Sequence, residues 1–377
     1  MKNSSSRRNF LAAGLALPAA AAALPAASGG VKFRTLGRTG LKISEVGFGC
    51  MVTSDSSVIA RAVDMGINHF DTARVYQSGN NEPMVGAMLK PHRQKVIISS
   101  KSLARDKAGA LKHLDESLAA LKTDYLDIWY LHSKNRVADI TDDLFEAQAE
   151  AKKQGKIRFP GLSLHAGHAE VIPVVIQSGK IDVVLLTYNF AMGDKWEGQI
   201  KSLAQAGIGV VAMKVMAGSL DRDPSYDYAK THELLKREGA PLAALKWVLR
   251  NPNVHCAIPS IKDADQLEEN VNAMSQPFTG KDKQVLSAQL DFIRPMYCRM
   301  CGTCDGVCPK GLPVADVLRF LTYSDGYGEF ALGRENFLSL PEDVRAVRCS
   351  DCSDCAVKCP NGVRVAQRLI RAQELFA

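Results

Sequence analysis

The stretch KVIISSKSLARDKAGALKHLDESLAALKTDYLDIWYLH, residues 95–132, decides the fold class of this chain. It opens with a short β-branched apolar run (95–100), continues into a segment of helical periodicity (110–122) and closes with a second apolar run (126–131). Short apolar strands that alternate with amphipathic helices are typical of a parallel sheet covered by helices. The stretch therefore predicts a strand, a helix and a second strand parallel to the first.

The same alternation extends in both directions from this unit. The strand candidates lie at 46–49, 68–71, 95–100, 126–131, 158–163, 182–186, 208–213 and 254–258. Eight such units within ~250 residues predict an α/β fold, the (β/α)8 TIM barrel. A doubly wound Rossmann sheet is the alternative, but no GxGxxG follows the first strand. Ahead of the barrel, FRTLGRTGLKIS (33–44) predicts a hairpin that closes its bottom.

Composition and charge exclude several classes of protein. Of 377 residues, 46% are hydrophobic and 23% charged, which excludes a disordered, collagenous or coiled-coil chain. The formal net charge is +7, and Lys2, Arg7 and Arg8 contribute three of these charges within an acid-free segment. The remaining chain has only a small basic excess, whereas strong phosphate binding needs a clustered basic face. We therefore expect no nucleic-acid partner.

The first residues, MKNSSSRRNFLAAGLALPAAAAALPAASGG (1–30), have the pattern of a secretory signal. A basic stretch precedes an uncharged Ala-rich run from Phe10 to Ala27, and the adjacent Arg7 and Arg8 resemble the twin-arginine motif, a receptor-read export address in bacteria. We expect residues 1–28 to be a twin-arginine signal read by the twin-arginine export machinery, and the mature protein to be periplasmic. The run is close to the ~20 residues that span a bilayer, so an uncleaved membrane anchor is the alternative.

Polar side chains stand at the carboxyl ends of four consecutive predicted strands. These are Asp71, Lys101, His132 and Ser163, and Tyr76 lies just beyond the second strand. In TIM barrels the C-terminal ends of the strands meet at one face, where the chemistry occurs. The sequence thus predicts that these groups converge on one site.

The residue types suit reduction of a carbonyl group. A ketone or aldehyde that accepts hydride develops negative charge on oxygen and needs a proton donor beside it. We expect Tyr76 to be that donor and Lys101 to be a cation that favours its phenolate. Asp71 would hold Lys101 in place, and a hydrogen bond from His132 would orient the carbonyl.

Each of these residues, taken alone, also has a purely structural interpretation. Asp71 and Lys101 form a buried ion pair in that interpretation, Tyr76 is a packing aromatic and His132 is a satisfied core histidine. Four further aromatic residues, Trp129, Tyr130, His165 and His168, are interpreted as packing or loop residues. HAGH (165–168) lacks the Glu of a hydrolytic zinc helix.

The motifs DTARVY (71–76), SSK (99–101) and LDIWYLH (126–132) resemble those of the aldo-keto reductases, and the likeness extends over roughly residues 32–275. The resemblance implies a small carbonyl or alcohol substrate, catalysis by the four residues Asp71, Tyr76, Lys101 and His132, and NADP(H) as a cofactor. The implied cofactor-binding residues are Ser163 at the carboxamide, Ser260, Lys262, Gln266, Glu269 and Asn270 at the adenosine end, and additionally Lys214 and Gly218.

The sequence departs from that family where the nicotinamide ring would bind. Leu164 and Leu185 stand where Asn and Gln are usual, and Met213 or Lys214 stands where an aromatic commonly stacks on the ring. Each missing hydrogen bond removes ~0.5 to 1.5 kcal/mol. We therefore expect NADPH to bind weakly.

Eight of the ten cysteines lie near the C-terminus in two copies of one motif, CxxCxxCxxxCP. This run holds 4Fe-4S clusters in bacterial-type ferredoxins. Zinc and disulfides are the alternatives for so many cysteines, but neither requires a fourth Cys followed by Pro. The two remaining cysteines, Cys50 and Cys256, are expected to be small core residues.

In two-cluster ferredoxins the fourth cysteine of each run ligates the other cluster. We therefore predict one cluster on Cys298, Cys301, Cys304 and Cys359, and the second on Cys349, Cys352, Cys355 and Cys308. The segment between the runs has helical periodicity and resembles the α-helical two-cluster ferredoxins. The expected domains are the signal (1–28), the barrel (31–285) and a small, mainly α-helical ferredoxin-type domain (286–377).

Together these features predict an exported oxidoreductase whose barrel reduces a carbonyl or oxidises an alcohol and exchanges electrons with two 4Fe-4S clusters and a redox partner protein. The alternative is an electron carrier with a catalytically degenerate barrel. Nicotinamide transfers two electrons as hydride, whereas iron-sulfur clusters transfer one at a time. No sequence feature identifies a flavin that would join the two.

Overall fold

The computed structural model describes residues 30–218, 235–236 and 238–377, so the expected twin-arginine signal lies outside the described residues. The described chain opens with a hairpin in which β1 (Phe33–Thr35) pairs antiparallel with β2 (Lys42–Ser44). Gly37 in its turn has φ +48°, and a Cβ there would collide with the backbone of Gly209. The predicted hairpin is confirmed. Its turn requires glycine at position 37, because the turn packs closely beneath the barrel.

Parallel strands form the central sheet, and each lies beside the next one along the chain. They are β3 (Phe48–Gly49), β4 (His69–Asp71), β5 (Ile97–Ser102), β6 (Leu126–Leu131), β7 (Ile157–Leu164), β8 (Val183–Thr187), β9 (Gly209–Met213) and β10 (Cys256–Ala257). Val46 pairs with Ala257 and Gly49 with Ser260, which joins the first strand to the last. The sheet therefore closes into the predicted (β/α)8 barrel.

Helices connect the strands and pack on the outer surface of the barrel. They are α1 (Ser56–Asp64), α2 (Asn81–Leu89), α3 (Lys107–Leu121), α4 (Asp142–Lys153), α5 (His168–Ser178), α6 (Glu197–Gln205), α7 (Ala240–Leu249), α8 (Ala264–Ala273) and α9 (Gly280–Ile293). Asp106 caps α3, because its Oδ1 accepts a 2.7 Å hydrogen bond from the free N–H of Gly109. The main core lies between helices and sheet, where Phe70 and Trp129 are fully buried.

Alternate strand residues point into the barrel, where large and small side chains complement one another. Tyr130 is fully buried there and lies beside Gly161 of the next strand. A Cβ on Gly161 would collide with the Tyr130 ring, so only glycine leaves room for it. Leu36 and Ile43 of the hairpin fill the lower end of the interior. The upper end is left to polar side chains.

The C-terminal region is mainly helical, as predicted. It contains α10 (Val314–Tyr327), α11 (Phe330–Leu338), α12 (Glu342–Ala346) and α13 (Val365–Phe376). These helices share a second core that includes Phe320, Phe337 and Phe376, and Met51 and Val75 of the barrel pack against it. Helix α10 therefore lies over the C-terminal ends of the barrel strands.

A buried ion cluster holds α10 to the last helix. The carboxylate of Asp325 on α10 is 1% exposed and accepts hydrogen bonds from Arg368 at 2.9 Å and from Arg371 at 2.7 and 3.1 Å. Charged hydrogen bonds of this kind are stronger than neutral ones, which fixes the position of α10.

Within the described ranges no helix combines the length and hydropathy needed to span a bilayer.

Candidate active site

A buried ion pair forms the floor of the site. Asp71 ends β4 and Lys101 lies on β5, and register places the two strand ends side by side. Lys101 Nζ donates to Asp71 Oδ1 at 2.5 Å and to the Thr72 carbonyl at 2.7 Å, while Ser99 Oγ donates to Asp71 Oδ2 at 2.7 Å. Both charged side chains are at most 3% exposed. The pair is thus rigidly positioned, as a buried charge requires.

Tyr76 begins a short turn after β4 and faces this pair. Lys101 Nζ lies 4.8 Å from the centroid of the Tyr76 ring, so the cation contacts the ring face. The pKa of Tyr76 is raised well above its ordinary value, first by burial and then by Asp71, Tyr323 and Cys50. The expected effect of Lys101 on the phenolate is not among these causes, and that expectation stays a prediction. Burial and Asp71 keep the phenol protonated, and it remains able to donate.

Two neutral histidines stand beside the tyrosine. His132 follows β6 and His165 follows β7, and their ring centroids are 6.2 Å apart. Burial lowers the pKa of both far below the ordinary value, and neighbouring Lys101, Lys214 and Arg319 lower it further. His132 is therefore an uncharged donor, as its proposed role requires. His165 lies buried in the loop after β7, as expected of a packing or loop residue, and it also lines the cavity; its position directly after a strand was the available signal.

A cavity of about 310 Å³ opens above these residues. Tyr76, His132 and His165 line one region of it, and Lys214 and Gly218 follow β9 along its wall. The residues implied for the adenosine end also line this cavity: Ser260, Lys262, Gln266, Glu269 and Asn270. One continuous space thus joins the catalytic candidates to those cofactor candidates.

Ser163 is placed differently from the other cofactor candidates. It is fully buried, its Oγ accepts a 3.0 Å hydrogen bond from the Ser133 N–H, and it is not among the described residues that line the cavity. Leu185 beside it is apolar and belongs to the barrel interior. The carboxamide of a nicotinamide therefore meets few polar partners here, so this end of the site does not fit the dinucleotide.

Helix α10 contributes residues that the sequence reasoning missed. Arg319, Tyr323 and Tyr327 are spaced by four along α10, so they share one face of the helix, and all three line the cavity. Arg319 Nη1 donates to the Tyr323 hydroxyl at 3.2 Å, and Lys214 Nζ lies 4.6 Å from the Tyr323 ring centroid. The available signal was the spacing of four within LRFLTYSDGY (318–327).

Two of the tyrosine hydroxyls in the cavity, those of Tyr76 and Tyr323, differ in acidity. Burial acts to raise the pKa of Tyr323, but Lys214 and Arg319 outweigh burial and lower it below the ordinary value. For Tyr76, burial and the Asp71 carboxylate act in the opposite direction, and its pKa is raised. The cavity therefore contains one phenol that is held neutral and another that is made more acidic by two cations.

The cysteines form two sets of four. Burial raises the pKa of Cys298 to about 12, and the thiols that act on it electrostatically are Cys304, Cys301 and Cys359. Burial raises the pKa of Cys349 to about 11, and its neighbours are Cys308, Cys352 and Cys355. Each set combines three cysteines of one run with the fourth of the other, as in the predicted ligand sets. Four thiols per set suit a 4Fe-4S cluster, so the donor chemistry fits.

All ten cysteines lie in the described residues and none is in a disulfide. Polar groups point at the sulfurs: the Met300 N–H lies 3.4 Å from Cys298 Sγ, and Asn361 Nδ2 lies 3.4 Å from Cys301 Sγ. Hydrogen bonds to cluster sulfurs are one of the means by which proteins set cluster potentials. Within the described ranges no three His, Cys, Asp or Glu side chains converge tightly enough to ligate one metal ion.

The first cysteine set adjoins the cavity. Asn189 Nδ2 donates to the hydroxyl of Tyr297 at 2.9 Å and to the carbonyl of Lys214 at 3.0 Å. Cys298 follows Tyr297 directly, and its thiol is close enough to Lys214 to act on the pKa of that lysine. A predicted cluster ligand and a cavity residue are therefore linked through one buried asparagine.

A closed (β/α)8 barrel with a polar site at its strand ends and a cysteine-rich helical tail defines a class: a TIM-barrel oxidoreductase carrying a ferredoxin-type region. Residues 52–288 match the Aldo/keto reductase family, and the chain belongs to that family and is an oxidoreductase. Residues 288–364 match a 4Fe-4S dicluster domain.

Three of the similar proteins each cover between 64% and 71% of this chain. The chain is 30% identical to an uncharacterized oxidoreductase, YqkF, of Bacillus subtilis over 64% of this chain and 90% of that protein. It is 28% identical to L-galactose dehydrogenase of Arabidopsis thaliana, over 71% of this chain and 95% of that protein. Among solved structures, the holo form of aldo-keto reductase AKR11C1 from Bacillus halodurans matches with 29% identity and a TM-score of 0.58, covering 69% of this chain and 96% of that one.

Proposed function

We propose that this aldo/keto reductase-family chain interconverts a small carbonyl compound and its alcohol in the barrel cavity, with electrons exchanged through two 4Fe-4S clusters and a redox partner protein. The cavity and the first cysteine set are in direct structural connection through Asn189, which is bonded both to Lys214 and to the residue before Cys298. This observation carries the proposal, because electron exchange requires the two centres to be close.

The residues of the chain have distinct roles in the proposed reaction. Reduction of a carbonyl to an alcohol consumes two electrons and two protons: the redox partner supplies the electrons through the clusters, one proton goes to the oxygen, and the other, taken up from solvent, goes to the carbon. Tyr76 is the proton donor to the carbonyl oxygen, since its raised pKa keeps it protonated. His132, uncharged, donates a hydrogen bond that orients the same oxygen. Asp71 and Lys101 place a cation under the Tyr76 ring.

The clusters, when bound on the two cysteine sets, supply single electrons. Two of them in one chain can hold the two electrons that carbonyl reduction needs, which is the reason for proposing both as redox-active. The direction of net flow follows the potentials of the partner and the substrate.

We propose a minor role for NADP(H). Several residues of the cavity suit the adenosine end, but Ser163 and Leu185 do not suit the carboxamide. In addition, Gln266 Oε1 already accepts a 3.0 Å hydrogen bond from the Lys262 backbone N–H. No step of the proposed reaction is therefore assigned to the dinucleotide.

We also propose that the chain is exported to the periplasm by the twin-arginine route. The support is the pattern of Arg7, Arg8 and the Ala-rich run. The twin-arginine route moves folded proteins, which suits a domain loaded with clusters before export. Free nicotinamide nucleotides are expected to be scarce in that compartment, which agrees with electron supply by a partner protein.

The test is anaerobic purification of the cluster-loaded chain and measurement of carbonyl reduction with two donors, reduced methyl viologen and NADPH. We expect turnover with the one-electron donor to be much faster. Replacing Asn189 by Ala should slow cluster-driven turnover, and replacing the exposed Asn80 by Ala is the matched control. Rapid turnover with NADPH that is independent of bound iron would contradict the proposal.

A further inference from the structure

The cavity near Tyr76 holds more positive charge than its acids neutralise. Asp71 is paired with Lys101 at the floor. Arg319 has Asp316 as its carboxylate partner at 2.9 Å, and that carboxylate also lies 3.6 Å from the exposed Arg136. Among the described residues Lys214 has no carboxylate partner, although its ammonium is screened from bulk solvent by Tyr323 and Tyr327 of the tail. A cation in such a position is stabilised by an anion.

Around the same space lie buried polar atoms that have no hydrogen-bond partner among the described residues. They are Nε of Arg319, the hydroxyl of Tyr327, Nδ1 of His132 and both ring nitrogens of His165. All four residues line the cavity, and Arg319, His132 and His165 are at most 8% exposed. Leaving buried polar atoms unpaired costs free energy, so a ligand that accepts and donates hydrogen bonds would satisfy this wall.

We propose that the wall formed by Lys214 and Arg319 binds the carboxylate of the substrate, so that the substrate is a small oxo acid or the corresponding hydroxy acid. This inference rests on the proposed function and names the substrate class of its site. Nη1 and Nη2 of Arg319 are bonded to Tyr323 and Asp316, so its Nε, which has no partner among the described residues, would donate to the carboxylate, and Lys214 adds a second charge. Both residues lie near His132 and His165, since both act on the pKa of each histidine.

A carboxylate is favoured over a dinucleotide phosphate by the distribution of charge along the cavity. The residues implied for the adenosine end have their own cations, Lys236 and Lys262, which line the same cavity. The cationic wall instead lies beside Tyr76 and His132, where the reacting carbonyl has to be.

Arg319 belongs to the tail and Lys214 to the barrel, so the substrate site is complete only when the two regions are packed together. The iron-sulfur region thus has a second purpose besides electron transfer: it supplies the residue that selects an anionic substrate.

The binding test uses the cluster-loaded full chain and a pair of unreactive ligands of similar size, oxamate and its neutral counterpart oxamide. Calorimetry under anaerobic conditions should show that oxamate binds at least about tenfold more tightly than oxamide. Arg319→Gln and Lys214→Met should each weaken oxamate binding about tenfold or more, corresponding to ~1.4 kcal/mol or more. Arg136→Gln removes an exposed arginine from the same Asp316 carboxylate and should leave the affinity unchanged.

Lys214→Met keeps the test decisive if Arg319→Gln fails to fold. Equal binding of oxamate and oxamide, or oxamate binding that survives both substitutions, would overturn the proposal. Inorganic pyrophosphate that displaces oxamate and loses affinity only with these two variants would assign the wall to a dinucleotide and also overturn it.

A kinetic experiment distinguishes failure of this inference from failure of the proposed function. Pyruvate and pyruvamide are compared as substrates with reduced methyl viologen as donor, and kcat/KM should favour pyruvate by about tenfold or more. Oxamate binding that depends on Arg319, without turnover of either compound, would leave the carboxylate site standing and refute the proposed reaction. Equal turnover of both compounds, with oxamate binding indifferent to Arg319, would refute the carboxylate site and leave the reaction standing.

Discussion

Replacing Tyr76 by Phe is the sharpest test of the catalytic assignment. The substitution removes one oxygen and leaves the ring, which contacts the Lys101 ammonium 4.8 Å from its centroid. The Asp71–Lys101 pair has its own hydrogen bonds to Thr72 and Ser99 and does not depend on the lost hydroxyl. We therefore expect the variant to fold, to keep its iron and to bind substrate with little change.

The expected loss is in kcat. A positioned proton donor contributes ~10² to 10⁴ in rate, which at ~1.4 kcal/mol per tenfold is about 3 to 5.5 kcal/mol of transition-state stabilisation. Because the pKa of Tyr76 is raised, its hydroxyl stays protonated at neutral pH, and the wild-type rate should show no limb from its ionisation there.

Tyr323→Phe is the matched control. It removes a hydroxyl from the same cavity, but one whose pKa is lowered and which accepts a hydrogen bond from Arg319 at 3.2 Å. Loss of one such bond is worth ~0.5 to 1.5 kcal/mol, so we expect less than about a tenfold change in kcat/KM.

The assay is anaerobic turnover of an oxo acid with reduced methyl viologen, with kcat and KM measured separately and bound iron measured in each preparation. A Tyr76→Phe protein with wild-type kcat would refute the reasoning, and a large kcat loss in Tyr323→Phe instead would transfer the donor role to the tail.

Further predictions follow from the other parts of the molecule. Cys304→Ala and Cys355→Ala each remove a ligand from a different set, so each should lower bound iron from about eight to about four per chain, as measured by metal analysis; full retention would contradict the ligand sets. Changing Arg7 and Arg8 together to Lys should leave precursor in the cytoplasm, and periplasmic protein at wild-type levels would argue against the signal. Fluorescence titration should show weak NADPH binding and slow aldehyde turnover, whereas tight binding with rapid turnover would restore an ordinary nicotinamide-dependent reductase. His132 and His165 stay neutral in the folded chain, so the free energy of unfolding should fall as the pH drops through the ordinary histidine pKa of 6.5, where only the unfolded chain gains these protons. Melting temperatures of the wild type and of His165→Asn, measured across pH 5 to 8, check this.

The barrel was predictable because its information is local. Each strand is a short apolar run and each helix a segment of matching periodicity, so the order of elements follows from hydrophobic patterning along the chain. All eight strand positions and the bottom hairpin were predicted in this way and are confirmed. The dicluster tail was equally predictable, because ligand spacing within each cysteine run is itself a local property.

The candidate site was predictable only in part. The strand-end rule identified the positions of Asp71, Lys101 and His132, and the resemblance to a family supplied the cofactor candidates, but neither indicated how the side chains meet. That Lys101 lies over the Tyr76 ring, and that Ser163 is bonded to Ser133 away from the cavity lining, depends on packing between strands distant in sequence. The roles given to these residues stay predictions until the variants are measured.

The sequence by itself determined the fold class, the ferredoxin-type character of the tail and the candidate residues at the strand ends, since each of these depends on spacing within one segment. Only the tertiary structure decided that α10 closes the cavity and brings Arg319 and Tyr323 within reach of Lys214, a residue about a hundred positions earlier. That contact arises because the tail core packs on Met51 and Val75 at the top of the barrel, and no local pattern specifies which face of a helix will meet which end of a distant sheet. The charge of the site, and with it the expected substrate, follows from that packing.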